Sequence, residues 1–284
     1  MFGRQTSGSA VCPSCGKLVG INEARCWNCG RANPGMWGFG RVLRRFGENF
    51  GSTDIILWGC GTLYVISLLL DLSGIRFDNL LAFLAPSGRS LLALGASGAL
   101  PVLGDGAWWT LLSAGWLHGG LLHILFNMLW VRQLGPVTTA LYGPGRMLLI
   151  YLVSSAAGFA ASAFGGVFLS WLAFIMGGHP YSISVGASAA VFGLLGAMVY
   201  AERRGVVSHL GRQAWGYAIA LFVFGLVLPG VDNWAHLGGF LGGYGLGKLL
   251  DPARPERPDH LLMAVALLVM TAVAIIASFA RVAL

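Results

Sequence analysis

Long apolar stretches alternate with short polar ones along most of this chain. A helix that crosses a bilayer needs roughly 20 apolar residues, and seven segments approach that length. The fourth of them is short, so its N-terminal end, which reads GASA, is expected to begin below the membrane surface. The seven helices are predicted at residues 54–72, 119–141, 147–168, 187–201, 214–230, 234–250 and 261–280.

Composition supports a membrane protein. Of the 284 residues, 56% are hydrophobic and 10% are charged, and 43 are glycine. Soluble domains carry about 25% charged residues, whereas glycine is common where membrane helices pack closely. The sequence therefore predicts an all-α polytopic membrane protein in contact with the lipid bilayer.

The distribution of basic residues predicts the orientation. With a cytoplasmic N-terminus, 15 of the 18 lysine and arginine residues fall in inside segments, and only Arg76, Arg89 and Arg281 fall outside. This bias follows the positive-inside rule and places the C-terminus outside the cytoplasm. The basic residues are spread over several loops, which favours anionic lipid over nucleic acid as their partner. We expect a bacterial cell membrane.

The N-terminal segment predicts a metal site. Residues 12–30 read CPSCGKLVGINEARCWNCG, which is two CxxC pairs ten residues apart. Such pairs form tetrahedral zinc sites, and disulfides are disfavoured in a cytoplasmic segment. Four thiolates leave no open coordination position, so one structural Zn²⁺ is expected, held by Cys12, Cys15, Cys26 and Cys29. A cytoplasmic partner of this segment, of unknown identity, is a further expectation.

Three polar motifs interrupt the apolar pattern. In SVGASAAVFG, Ser188 lies among small residues, which suits close helix packing or chemistry. In GWLHGGLLHILFNMLW, His123 and Asn127 share one helical face, which suits either an interhelical hydrogen bond or a functional role. His118 lies at the entry to that helix and is interpreted as structural.

The third motif, DNWAHLGGFLGGYGLG, places His236 near the start of the sixth helix. Gly239, Gly243 and Gly247 follow at intervals of four, so a neighbouring helix can approach closely. If that neighbour is the fourth helix, Ser188 and His236 come within hydrogen-bonding reach.

Acidic residues constrain the chemistry. No Asp or Glu occurs between Gly106 and Ala201, and Asp232 lies at the rim of the sixth helix. A Ser-His dyad is therefore favoured over a triad. There is also no HExxH for a zinc peptidase, no pair of spanning aspartates, and no ion-coupling carboxylate of the kind a transporter carries.

Taken together and in this order, the three motifs resemble those of the rhomboid family of intramembrane serine proteases over about residues 54–250. The resemblance implies a six-helix core in which Ser188 is the nucleophile and His236 the general base. His123 and Asn127 would form the oxyanion hole with the backbone N–H of Ser188. His118, Gly186 and Gly239 would be structural motif positions. Catalysis would need no cofactor, and the substrates would be transmembrane proteins.

Two positions depart from the family pattern. Thr110 follows Trp109 where an arginine is common, and Phe192 stands where a tyrosine is common beneath the histidine ring. The alternative function is a catalytically silent rhomboid-like protein that binds transmembrane helices. The expected organisation is a zinc-ribbon-like domain at 1–33, a basic and aromatic linker at 34–53, the protease core at 54–250, and a linker with a seventh helix at 251–284.

Overall fold

The computed structural model describes residues 3–42, 51–177 and 182–283. Residues 43–50 of the predicted linker therefore lie outside the described residues. Seven helices of 16 to 26 residues dominate the rest. They are α1 Ser52–Leu69, α2 Leu121–Tyr142, α3 Pro144–Phe168, α4 Ser188–Arg203, α5 Leu210–Val227, α6 Asn233–Leu250 and α7 Pro258–Ala283.

Each long helix lies within a few residues of a predicted apolar segment, so the helical membrane architecture is confirmed. Four helices of the described chain are long and apolar enough to cross a membrane by length and composition, namely α1, α3, α5 and α7. The remaining three are shorter or carry the polar motifs. At 16 residues, α4 is the shortest of the seven, as the sequence predicted.

The loop between α1 and α2, residues 70–120, is mostly folded. It contains two short α-helices, Gly88–Ala93 and Thr110–Ser113, together with 3-10 turns at Leu72–Gly74 and Ala114–Trp116 and a π-turn at Leu100–Gly104. Between α3 and α4 lie a 3-10 turn, Ser170–Leu172, and a short helix, Ala173–Met176. We refer to residues 70–120 as the α1–α2 loop.

The centre of the molecule is the contact among α3, α4 and α6. A Cβ added to Gly239, Gly243 or Gly247 would meet the backbone of Ala189, Gly193 or Ala197, respectively. Both rows repeat every four residues, so the two helices meet through small residues along three turns. This close approach fixes the depth of the α4 start against the α6 start, where the polar residues lie.

The N-terminal unit is a small cysteine-rich hairpin. Strands β1, Ser9–Val11, and β2, Leu18–Gly20, pair antiparallel. A 3-10 turn follows at Met36–Gly38. The unit touches the first turn of α7, where the guanidinium of Arg31 pairs with the carboxylate of Asp259. The described hairpin therefore lies beside the N-terminal end of α7.

Candidate functional site

Ser188 and His236 lie side by side at the starts of α4 and α6. Ser188 is the first residue of α4, and His236 is in the first turn of α6. The Ser188 Oγ and His236 Nε2 atoms are 2.9 Å apart. His236 is buried, whereas Ser188 remains partly accessible. The glycine contacts between the two helices explain this proximity, because a larger residue at Gly239 would separate them.

Two neighbours fix the His236 ring. The ring stacks on Phe192 with centroids 4.3 Å apart and an angle of 14° between the planes. On the far side from Ser188, His236 Nδ1 lies 3.1 Å from Asn233 Oδ1. Because that oxygen is an acceptor, Nδ1 carries the proton and Nε2 is free to accept one from Ser188.

Asn233 is a site residue that sequence reasoning missed. It is fully buried, and its Nδ2 atom has no hydrogen-bond partner among the described residues. Leaving a buried amide donor unpaired is costly, so packing alone is a poor reason for an asparagine here. Its spacing of three residues before His236 on a helix was the signal that could have identified it.

Asp232 lies close by but does not contact the His236 ring. Its carboxylate caps α6 by accepting the Ala235 N–H at 3.0 Å. It also accepts the hydroxyl protons of Ser184, at 2.6 Å, and Ser162. Asp232 therefore ties α3 and the residues before Ser188 to the start of α6.

His123 lies on the other side of the serine. The Gly119 N–H donates to His123 Nδ1 at 3.3 Å, so Nε2 carries the ring proton and is a donor. A Cβ added to Gly186 would lie 2.6 Å from His123 Nε2 and 3.8 Å from Ser188 Oγ. The Nε2 donor thus faces the small space beside the serine, and only glycine leaves that space open.

Asn127 and His118 complete the α2 side. Asn127 is buried one turn below His123, and its Nδ2 donates to the His123 carbonyl at 2.9 Å. His118 Nε2 accepts the N–H of Ala187 at 3.5 Å, which holds the residue directly before Ser188. Gly186 has a φ of +132° and lies in the approach to α4, not on the α4 helix itself.

Comparison with known proteins decides the family. The rhomboid domain model matches residues 105–252, which include the three motifs. The chain belongs to the rhomboid family. RHOMBOID-like protein 4 of Arabidopsis thaliana is 39% identical over 171 residues, which are 59% of this chain and 40% of the relative. Rhomboid protease GluP of Bacillus subtilis is 32% identical over 188 residues, 65% of this chain and 34% of the relative.

A third relative is more distant. Rhomboid-like protease 3 of Toxoplasma gondii is 28% identical over 191 residues, which are 65% of this chain and 63% of the relative. The chain thus spans well under half of the length of the first two relatives. As a rhomboid with several long apolar helices, it is an integral membrane protein.

The four N-terminal cysteines lie together, two in the turn between β1 and β2 and two in a second turn after β2. Their sulfur atoms are all within 4.8 Å of one another. The Cys12–Cys29 and Cys15–Cys26 sulfurs are 3.7 and 3.6 Å apart. Four sulfurs around a Zn²⁺ at about 2.3 Å are separated by roughly 3.8 Å. The donor set therefore fits a tetrahedral metal ion.

The two knuckles that carry these cysteines repeat one geometry. The Gly16 N–H donates to the Cys12 carbonyl and the Gly30 N–H to the Cys26 carbonyl, each at 2.9 Å. The two glycines have φ values of +73° and +72°, a region that favours glycine. The backbone N–H of Lys17 lowers the pKa of the Cys15 thiol to about 6, which favours the thiolate that binds metal.

Proposed function

We propose that this rhomboid is an intramembrane serine endopeptidase that hydrolyses peptide bonds in or near transmembrane segments of other proteins. The observation that carries the proposal is the 2.9 Å contact between Ser188 Oγ and His236 Nε2. It joins the only serine of the GASA motif to a histidine whose other ring nitrogen is already occupied. A protein that only binds helices has no need of this pair.

The first chemical step is attack by Ser188 on the scissile carbonyl. His236 Nε2 removes the hydroxyl proton as the bond forms, and later returns it to the leaving amine, which leaves an acyl-enzyme on Ser188 Oγ. A water molecule, deprotonated by His236, then attacks the acyl carbon, and the proton returns to Ser188 Oγ as the carboxylic acid product leaves. Asn233 takes the position that a carboxylate has in a triad and holds the ring in the tautomer that can accept the proton. A neutral amide supports the imidazolium less than a carboxylate does, so the unit is a dyad with an orienting amide.

Donors around Ser188 would stabilise the tetrahedral intermediate. They are the Ser188 N–H, His123 Nε2–H and the Asn127 amide, which has a second proton besides the one donated to His123. The Ser188 N–H is also at the N-terminus of α4, where the helix dipole is positive. Loss of one such donor typically lowers the rate by ~10²–10³.

Topology determines what the site can reach. We propose that the N-terminus is cytoplasmic and the C-terminus extracytoplasmic, in the cell membrane of a bacterium, supported by the distribution of basic residues. Ser188 then lies towards the outer side, at the start of the shortest long helix. A substrate helix would enter between helices beside α5 and unwind locally, since a helix hides its peptide bonds.

We also propose the domain organisation expected from the sequence. We place a zinc-ribbon-like domain at 1–33, a linker at 34–53, the protease core at 54–250, and a further linker and helix at 251–284. Cys12, Cys15, Cys26 and Cys29 would hold one structural Zn²⁺ that orders the hairpin, supported by their sulfur spacing. It would take no part in hydrolysis.

Cleavage of a model transmembrane substrate tests the proposed activity. Ser188→Ala and His236→Ala should each abolish cleavage, and the double variant should lose no more than either single one, because the two residues act as a unit. The matched control is Ser67→Ala, which removes a buried α1 hydroxyl bonded to its own helix at the Tyr64 carbonyl. Full activity of the Ser188→Ala variant would refute the nucleophile assignment. Substrate capture without cleavage by the unaltered protein would favour the silent binding protein.

A further inference from the structure

The segment that leads into Ser188 is held by the α1–α2 loop. We refer to residues 182–187 as the α4 approach. Ser97 and Ser184 form a two-bonded antiparallel bridge, with N–H to carbonyl distances of 3.1 and 2.7 Å. The Gly186 N–H donates to the Ala114 carbonyl at 3.1 Å. The position of Ser188 therefore depends on the conformation of the loop opposite it.

The α1–α2 loop is itself held by the C-terminal third of α7. The Trp109 Nε1–H donates to Ser278 Oγ at 2.9 Å. Ser278 is buried, and its hydroxyl proton goes to the Ala274 carbonyl of its own helix at 2.9 Å. A polar side chain within an apolar helix thus supplies an acceptor to the loop.

Apolar packing joins the same three elements. Ile275 of α7 packs on a small buried cluster that also receives Ile183 and Val185 from the α4 approach. The cluster itself comes from the α1–α2 loop and consists of Leu91, Leu94, Ala96 and Leu117. Leu117 directly precedes His118, which bonds the Ala187 N–H. This apolar cluster therefore connects α7 to the α4 approach and to His118.

Three further contacts restrain the α1–α2 loop near this end of α7. Gly95 lies against Ser278, since a Cβ added there would be 2.8 Å from Ser278 Oγ. The Gly95 carbonyl accepts the Ser113 hydroxyl at 2.7 Å, which links the two short helices of the loop. At the rim, Arg281 approaches Asp105 at 3.8 Å. This exposed pair adds little by itself.

We propose that α7 braces the active site, and that Ser278 and Ile275 are positioning residues that hold the α1–α2 loop and, through it, the α4 approach. The role of these residues in catalysis rests on the proposed function of Ser188, whereas the mechanical link does not. In this chain, with Thr110 beside Trp109, the loop is anchored from a helix outside the six-helix core. The seventh helix thus supports the geometry of the active site together with the six-helix core.

Hydrogen exchange of the full chain in detergent tests the link without requiring activity. Ser278→Ala and Ile275→Ala should each accelerate amide exchange in residues 94–118 and 182–187. Loss of one hydrogen bond corresponds to about a two- to tenfold change in the opening equilibrium. Thr271→Val is the matched control, because Thr271 is a buried α7 hydroxyl bonded only to its own helix at Leu267. It should leave both segments unchanged.

Kinetics then test the consequence for catalysis. Ser278→Ala should lower kcat by about two- to tenfold with little change in KM, and Ser278→Thr, which keeps the hydroxyl, should restore it. Unchanged exchange in both segments overturns the brace, as does equal acceleration in Thr271→Val. If exchange responds as expected while Ser188→Ala remains fully active, the brace stands and the proposed function fails.

Discussion

At the residue scale, the site differs from a triad by one functional group. His236 has an amide oxygen, not a carboxylate, behind it. Asp232 directly precedes Asn233 in the sequence. Its carboxylate accepts hydrogen bonds from serine hydroxyls and from the first turn of α6. The count of acidic residues favoured a dyad over a triad, and in the structure the Asp232 carboxylate bonds to serine hydroxyls and the Ala235 N–H, not to the ring. The sequence analysis did not predict that Asn233 would bond to His236 Nδ1 and orient the ring.

Replacing Asn233 tests that role. Asn233→Ala should lower kcat by about ten- to hundredfold, less than the ~10²–10⁴ that general-base catalysis supplies as a whole, because His236 remains but loses its fixed tautomer. Asn233→Asp, which keeps an acceptor oxygen, should retain more activity than the alanine variant. Steady-state kinetics with a model substrate measure both.

A structural role would give a different pattern. The Asn233 Nδ2 donor has no partner among the described residues, so its removal should cost little stability. Equal kcat in Asn233→Ala and the unaltered protein would remove Asn233 from the site. A loss of activity matched by a large loss of thermal stability would make it a packing residue.

At the element scale, the contact of α4 with α6 is the main determinant of the site. The sequence predicted both helices and the glycine spacing on α6, because period and residue size are local properties. It named α4 as the partner only as the condition under which Ser188 and His236 would meet. Gly186 was expected as a structural motif position. In the structure it lies before the helix and faces His123, a placement that depends on contacts between residues distant in the sequence.

Enlarging one glycine tests this contact. A Cβ at Gly243 would overlap the backbone of Gly193, whereas one at Gly245 on the same helix would meet nothing within 4 Å. Gly243→Ala should lower the free energy of unfolding by about 1–3 kcal/mol through overpacking and should lower cleavage. Gly245→Ala should preserve both. Thermal denaturation in detergent with a parallel cleavage assay compares them, and equal stability of the two variants would contradict the close approach.

At the scale of the whole molecule, hydropathy predicted the seven helices well. Each helix in a bilayer must be apolar and must make its backbone hydrogen bonds within its own segment, so the signal is local. The folded α1–α2 loop was not predicted, since its short helices follow from contacts with distant elements. The Trp109 bond to Ser278 spans 169 residues of sequence. The cysteine spacing predicted a metal site whose donors the structure does bring together.

The cysteine-rich hairpin provides a prediction of its own. The purified chain should contain one Zn²⁺, bound by the four cysteines, and the hairpin should unfold when the metal is removed, because its buried cluster is small. Metal analysis under reducing conditions, with Cys12→Ser as the variant that loses the ion, measures this. Absence of zinc from the unaltered protein would contradict the assignment.

Removal of the hairpin tests its independence from the core. Deleting residues 1–33 breaks the Arg31–Asp259 pair but leaves Asp259 with Arg257, 3.7 Å away. The shortened protein should therefore cleave a model substrate in detergent at close to the full rate. A folded but inactive truncated form would show that the hairpin supports catalysis.

Labelling with a fluorophosphonate probe shows whether Ser188 is an activated nucleophile, because the probe reacts with an activated serine and requires no knowledge of the substrate. The full chain in detergent should be labelled at one residue, identified by peptide mapping as Ser188. Labelling should disappear in Ser188→Ala, fall strongly in His236→Ala and persist in Ser67→Ala. Absence of labelling in the folded, unaltered protein, or undiminished labelling of the Ser188→Ala variant, would contradict the assignment of Ser188 as the nucleophile.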